Sequence, residues 1–251
     1  MNLKFSASAL ILLSLISIST FGNMAFAEND DKIVVMYTNS GQLIIEFFPE
    51  DAPNTAENFL KLAESGFYDN LVFHRIIKDF MIQGGDPLTK YGSANIPLWG
   101  TGNAGYEIPA EFNSIKHNRG IVSMARGADV NSASSQFFIV HEDSNHLDGK
   151  YTVFGKLLTE ESYDTLDKIA NLQTTSFDSP NDLLASQIIK AAVITRADIE
   201  NLPSIEELDR LDVTDSSTMM ISDRYVNTEY DFSIIPPKGW TVLYPEPGSK
   251  P

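Results

Sequence analysis

Short apolar runs separated by turn-forming residues occupy most of the chain between residues 32 and 196. The runs are rich in β-branched and aromatic residues, a pattern typical of short β-strands. The first two, KIVVMYT and QLIIEFF, flank the turn residues NSG and predict a β-hairpin over residues 32–48. The later runs predict strands over residues 71–77, 80–83, 121–125, 136–140, 151–157 and 187–195.

Two segments follow the helical period instead of the strand period. The first begins at Pro53, which suits an initial helical turn, and ends near Gly66. The second covers residues 160–171, with Thr159 as its expected N-cap. Many short strands with two helices predict a mainly β fold, a closed antiparallel β-barrel capped by the two α-helices.

The first 27 residues have the composition of a secretory signal peptide. A basic start at Lys4 precedes an uncharged apolar stretch, and Ala25-Phe26-Ala27 supplies the small residues of a cleavage site. We expect an exported protein that is cleaved after residue 27. The alternative is an uncleaved membrane anchor, because the uncharged stretch is long enough to span a bilayer.

Charge and cysteine content exclude several classes of function. The chain carries 34 acidic and 18 basic residues, a formal net charge of −16, which argues against binding to nucleic acid or to anionic membranes. It has no cysteine, so it cannot use a cysteine nucleophile or a cysteine-ligated zinc ion. We expect no metal, no cofactor and a monomer.

The tail after residue 196 differs from the rest of the chain. Residues 197–251 contain 11 acidic and four basic residues and few periodic apolar positions. We interpret them as an acidic linker with an irregular C-terminal extension, or as the start of a truncated second domain.

One strand-like stretch, FHRIIKDFMIQGGD over residues 73–86, places Arg75 and Gln83 among apolar residues. Charged and amide side chains are rarely buried without partners. Taken alone, Arg75 fits a structural ion pair and Gln83 a solvated strand edge. The alternative is that both line a surface groove.

Three motifs occur in order along the chain: FHRIIKDFMIQGGD, then RGIVSMAR with SSQFFIV, then HLDGKYTVFGKL. Together with the first hairpin and APNTAENFLKLAESGFYD, they resemble the cyclophilin family of peptidyl-prolyl cis–trans isomerases. The resemblance covers about residues 32–196, which we take as the isomerase domain. It implies an eight-stranded barrel, isomerase activity and proline-containing polypeptides as partners.

The same resemblance assigns the site residues. It implies Arg75 as the catalytic residue, exposed at an apolar groove. The expected substrate-binding residues are Phe80, Met81, Gln83, Ala125, Arg126, Gln136, Phe138, His146, Leu147 and Tyr151. Phe137 is expected in the core, because strand alternation places it opposite Phe138.

Three positions depart from the family pattern. His146 stands where tryptophan is frequent, so we expect weak binding of cyclosporin, the cyclic peptide that tryptophan-containing members bind tightly. Tyr151 replaces a family histidine, a variant associated with prokaryotic members. Arg126 replaces a common asparagine and adds a positive charge that would favour acidic substrates.

Two functions remain open on these residues. The first is an exported isomerase that assists protein folding outside the cytoplasm. The second is a chaperone or scaffold module that binds proline peptides with little catalysis. The four histidines show no metal-ligand spacing, although His141 and His146 lie near acidic residues.

Overall fold

The computed structural model describes residues 31–92, 96–208, 225–227 and 232–234. The predicted signal peptide therefore lies outside the described residues. The chain separates into two compact units, Met1–Leu202 and Pro203–Pro251.

The first unit contains eight β-strands and two α-helices in its described part. The strands are β1 (Lys32–Thr38), β2 (Gly41–Phe47), β3 (Arg75–Ile77), β4 (Met81–Gly84), β5 (Ile121–Met124), β6 (Phe137–Val140), β7 (Val153–Leu157) and β8 (Ile188–Thr195). The helices are α1 (Pro53–Glu64) and α2 (Glu160–Ala170), and short 3-10 helices cover Pro87–Gly92, Ile96–Leu98, Asn145–Leu147 and Arg196–Asn201. Every strand and helix expected from the sequence pattern is present, with ends that differ by a few residues.

The strands form one antiparallel sheet in the order β3-β4-β6-β5-β7-β2-β1-β8. Its curl is that of an open half-barrel, so the expectation of a closed barrel is wrong. Residues 70–73 approach the start of β8, where Phe73 N–H donates to the Ser186 carbonyl at 2.9 Å. β3 itself is three residues long, and its Ile76 N–H bonds instead to the carbonyl of Asp178 at 2.8 Å. The segment before β3 thus meets β8 through an isolated antiparallel bridge between Val72 and Gln187, and the loop after α2 takes the hydrogen bond of Ile76.

Strand alternation divides the apolar residues between the two faces of the sheet. On β6, Phe137 and Ile139 belong to the large inner core, whereas Phe138 and Val140 belong to a smaller outer cluster. Phe137 therefore lies in the core, as its position in the sequence predicts. The outer cluster forms a second apolar surface on the sheet, beside the 3-10 helix at Asn145–Leu147.

The helices begin where their sequences indicate. Pro53 is the first residue of α1, and the Thr159 hydroxyl accepts a hydrogen bond from the N–H of Ser162 at the start of α2. α1 contacts β7 and β8, and α2 contacts β2, β3 and β4. Phe59 on α1 packs edge-on against Phe137, with ring centroids 5.2 Å apart, which connects this helix to the inner core.

The first and last strands of the unit are neighbours. β1 pairs with β8 so that Lys32 lies opposite Thr195. The N–H of Arg196 donates to the Asp31 carbonyl at 2.8 Å and continues this ladder.

The second unit is described over short stretches only. Residues 205–208 are helical, and β9 (Tyr225–Asn227) pairs with β10 (Phe232–Ile234) as an antiparallel ladder. In the described part of the chain, no helix has both the length and the apolar character needed to cross a membrane.

Candidate active site

Four neighbouring strands bring residues from distant parts of the sequence into one row. Arg75 on β3 lies opposite Gln83 on β4, Gln83 lies opposite Phe138 on β6, and Phe138 lies opposite Ser123 on β5. Residues that are directly paired across a sheet project from the same face. The arginine, the glutamine and the phenylalanine therefore share the outer face of the sheet.

An apolar floor lies beside this row. It is formed by six buried residues: Met81, Ile121, Phe138, Val140, Leu147 and Val153. Partly buried residues pack around it, among them Phe80, Ala125 and Tyr151. The structure thus brings together the apolar residues that the resemblance assigned to the proline pocket.

Two aromatic rings hold the ring of Phe138. His117 stacks on it at a centroid distance of 6.0 Å and an interplanar angle of 13°, and Tyr151 meets it edge-on at 5.7 Å. Aromatic pairs in these arrangements add to the energy of burial. Sequence reasoning missed His117, whose only signal was its position just before the strand that carries Ser123.

His117 is in turn fixed by Asp148. The carboxylate accepts hydrogen bonds from the His117 backbone N–H at 2.9 Å and contacts ring Nδ1 at 3.1 Å. The bond from the backbone N–H is the main reason that the pKa of Asp148 falls to about 2. Burial lowers the pKa of His117, and the nearby carboxylate opposes that shift.

Asp148, His117 and Ser123 have the order of a hydrolase triad, since His117 Nε2 lies 3.1 Å from the Ser123 hydroxyl. Ser123 is fully buried, however, and its hydroxyl also contacts the Thr152 carbonyl at 2.9 Å. A nucleophile must reach its substrate, so this cluster supports the groove floor and does not attack a bond.

Arg75 is exposed, as the groove interpretation requires. Its side chain retains 44% of its accessible surface, and its Nε lies 3.6 Å from the carboxylate of Asp178. Sequence reasoning missed Asp178, which lies in the loop after α2, about a hundred residues from Arg75. An ion pair and an exposed side chain therefore occur together at this arginine.

Side-chain hydrogen bonds connect Gln83, through Gln136, to a long loop. Gln83 Nε2 donates to Gln136 Oε1 at 2.9 Å, and Gln136 Nε2 donates to the carbonyls of Gly100 and Gly102. The buried Asp86 carboxylate accepts N–H bonds from the same two glycines. A Cβ on Gly102 would lie 2.1 Å from Asp86, so this close approach requires glycine.

Arg126 lies at the rim and is held in place. Its Nε and Nη2 donate to the Lys150 carbonyl, and its Cζ lies 4.8 Å from the centroid of the Tyr151 ring. The neighbouring Ala125 N–H donates to the Gln136 carbonyl at 3.0 Å and is not available to a substrate.

His146 and His141 are separated in the fold. His146 is exposed, and its ring lies 5.5 Å from that of Phe80 at the edge of the groove. His141 is buried, with Nε2 at 3.1 Å from Asp167 and Nδ1 accepting the Asp79 N–H. No group of three or more residues suited to hold a metal ion occurs among the described residues.

Known proteins match this sequence and this fold. The family model for "Cyclophilin type peptidyl-prolyl cis-trans isomerase/CLD" matches residues 33–196. A peptidyl-prolyl cis-trans isomerase of Synechococcus elongatus is 45% identical over 137 residues, which cover 55% of this chain and 88% of that protein. An Arabidopsis thaliana isomerase, CYP18-1, is 43% identical over 153 residues, which cover 59% of this chain and 88% of that protein.

A solved structure agrees with these sequence relatives. The cyclophilin-type isomerase of Cryptosporidium parvum, crystallised in the presence of the dipeptide Ala-Pro, superposes with a TM-score of 0.57 at 34% identity. The match covers 65% of this chain and 99% of that one. With the family model matching well over half of its length, the chain belongs to the cyclophilin-type peptidyl-prolyl cis–trans isomerases.

Proposed function

We propose that this isomerase acts on X-Pro bonds in extended polypeptides, with Arg75 as the electrostatic catalyst and the outer apolar cluster as the proline pocket. The observation that carries the proposal is the row of Arg75, Gln83 and Phe138 on one face of the sheet. It places an exposed cation beside a buried apolar floor, which is what a proline-binding catalyst needs.

The chemistry requires no nucleophile. Resonance keeps the peptide bond planar, with a rotational barrier of ~18–20 kcal/mol. An enzyme accelerates the rotation by binding the twisted amide better than either planar form. Twisting localises a lone pair on the prolyl nitrogen, and the fixed charge of the Arg75 guanidinium stabilises that developing acceptor.

The surrounding residues divide between holding the ring and holding the backbone. Met81, Phe138 and Leu147 offer a dry surface to the pyrrolidine ring, because each is at most 9% exposed. Gln83 lies opposite Arg75 and offers its amide oxygen to a substrate backbone, while Gln136 holds the Gln83 amide in place through its own Oε1. Arg126 adds a positive charge at the rim, which favours acidic residues in the substrate.

The test is the rate of X-Pro isomerisation in a protease-coupled peptide assay. Arg75→Ala should lower kcat/KM by roughly a hundredfold, similar to the loss of one oxyanion-type donor. Lys78→Ala is the control, because it removes a cation from the exposed turn beyond β3. If Arg75→Ala keeps its melting temperature and turns over within twofold of the parent, Arg75 is not the catalyst. A parent that binds proline peptides with little turnover would instead favour the proline-peptide-binding chaperone or scaffold.

We also propose that the protein works outside the cytoplasm as a monomer and is a prokaryotic-like member of the family. The support is the signal-peptide pattern of residues 1–27 and the tyrosine at position 151. Expression of the full chain in a bacterium, followed by N-terminal sequencing, tests the export. A new N-terminus at Glu28 is expected, retention of Met1 in the membrane fraction would indicate the anchor, and retention of Met1 in the cytosol would contradict export.

A further inference from the structure

The carboxylate of Asp178 lies beside the proposed catalytic cation. Its Oδ2 is 3.6 Å from Nε of Arg75, and both side chains are 44% exposed. A guanidinium is a planar fork of five N–H donors with a fixed geometry. A negative charge near Nε therefore restrains the whole fork, while the Nη groups retain donors for a substrate.

The position of this carboxylate is set by the backbone. The N–H of Ile76, the residue after Arg75 on β3, donates to the Asp178 carbonyl at 2.8 Å. The turn closes on itself as well, since Asp178 N–H donates to Thr175 O at 3.1 Å and Thr175 N–H donates to Ser179 O at 2.8 Å. The loop is thus fastened to the same edge strand that carries the arginine.

Asp178 adopts a backbone conformation that few residues tolerate. Its φ is +61°, in the left-handed region where aspartate and asparagine are enriched among non-glycine residues. An asparagine can therefore replace it with little backbone strain, and the substitution removes the charge alone. The substitution Asp178→Asn therefore tests the charge of this side chain separately from its shape.

We infer that Asp178 is a positioning residue, whose charge holds the Arg75 guanidinium in the orientation that meets the twisted prolyl amide. The inference rests on the proposed catalytic role of Arg75 and adds a second residue to it. An exposed ion pair contributes little to folding, so the effect belongs to turnover and not to stability. A misplaced catalytic group lowers the rate even when the substrate still binds.

The experiment compares Asp178→Asn with Asp182→Asn in the full chain. Asp182 is an exposed residue of the same loop, and its recorded side-chain contact is a hydrogen bond from Ala185 N–H, which an asparagine oxygen can also accept. Exchange measurements by NMR on a peptide with one X-Pro bond give kcat and affinity separately. We expect Asp178→Asn to lower kcat about three- to fivefold, the factor that an exposed ion pair can supply. Peptide affinity and melting temperature should stay unchanged, and Asp182→Asn should match the parent.

A double mutant distinguishes failure of this inference from failure of the proposed function. In an Arg75→Ala background, Asp178→Asn should cause no further loss, because the group that it positions is gone. If Arg75→Ala is active, the proposed role of Arg75 fails, and the inference fails with it. If Arg75→Ala is inactive but Asp178→Asn equals Asp182→Asn, the inference alone is overturned. A faster Asp178→Asn also overturns it, because the carboxylate would then compete with the substrate for the cation. Asp178→Gly, which accepts the same φ, repeats the measurement if the asparagine variant does not fold.

Discussion

The side-chain amide of Gln83 donates to the amide oxygen of Gln136 at 2.9 Å, and the Gln136 amide nitrogen donates to the carbonyls of Gly100 and Gly102. This chain of bonds joins the row on the sheet to the loop after the 3-10 helix at Ile96–Leu98. The half-buried side chain of Gln136 therefore connects the sheet to this loop.

Replacing Gln136 with leucine should loosen this wall. The substitution keeps the size of the side chain but removes two donors and one acceptor, so we expect a loss of about 1–2 kcal/mol in unfolding free energy. Peptide affinity should fall with it. Urea unfolding and a peptide titration check both effects. Gln42→Leu on β2 is the control, since the Gln42 side chain makes no hydrogen bond to the described residues. Equal losses of unfolding free energy in the two variants would show that the hydrogen bonds of Gln136 do not stabilise the fold.

His146 should limit the binding of cyclosporin. Its imidazole lies 5.5 Å from the Phe80 ring and offers less apolar area than an indole, with a different donor geometry. We expect weak binding by the parent and tighter binding by His146→Trp, measured by calorimetry. Nanomolar affinity in the unmodified protein would show that position 146 does not decide it.

His74 should make the fold sensitive to acid. It is buried, neither ring nitrogen has a hydrogen-bond partner in the described residues, and burial lowers its pKa from 6.5 to about 4. Between pH 6.5 and pH 4, the His74 side chain therefore binds a proton in the unfolded chain but not in the folded chain. Its contribution to stability is complete above pH 6.5 and declines as the pH falls toward 4.

At pH 4.5 this one group should reduce the unfolding free energy by about 2.5 kcal/mol relative to pH 7. Burial also lowers the pKa of His117, which acts in the same direction. His74→Phe should fold and should flatten the profile, because the apolar ring has no proton to gain. Urea titrations of parent and variant at pH 4.5 and pH 7 measure the unfolding free energies. An equal loss of stability at pH 4.5 in both proteins would rule out His74 as the source of the acid sensitivity.

The isomerase should fold without the acidic tail. A chain of residues 31–202 contains every strand of the sheet and the whole candidate site. We expect one cooperative melting transition and the kcat/KM of the full chain. Loss of the transition would show that residues after 202 contribute to the core.

Local pattern was sufficient to predict the elements of this fold. Alternation placed Phe137 inside and Phe138 outside, and Pro53 and Thr159 marked the helix starts, because each of these signals acts over a few residues. The open edge of the sheet was not predictable in this way. It depends on contacts between distant segments, such as the hydrogen bond from Ile76 N–H on the short β3 to the Asp178 carbonyl.

The same distinction between local pattern and distant contacts applies to the candidate site. The motifs led to the proposed apolar pocket and to Arg75, because the resemblance covers those strands. They did not show that Gln83 bonds to Gln136, that His117 stacks on Phe138, or that Asp178 faces Arg75. Each of these contacts joins residues that are distant in the sequence, so it depends on the assembled fold and not on local pattern.

The hydrogen bond between Arg196 N–H and the Asp31 carbonyl means that the chain enters and leaves the catalytic unit at neighbouring points on its surface. A protein module built in this way can be spliced into a surface loop of a host as well as attached to its end, because the host chain need not stretch across the module. It can also be circularly permuted, with a short linker joining residues 196 and 31 and new ends opened at the exposed turn around residue 129. Evolution and engineering can thus move this isomerase between chains without taking the groove apart.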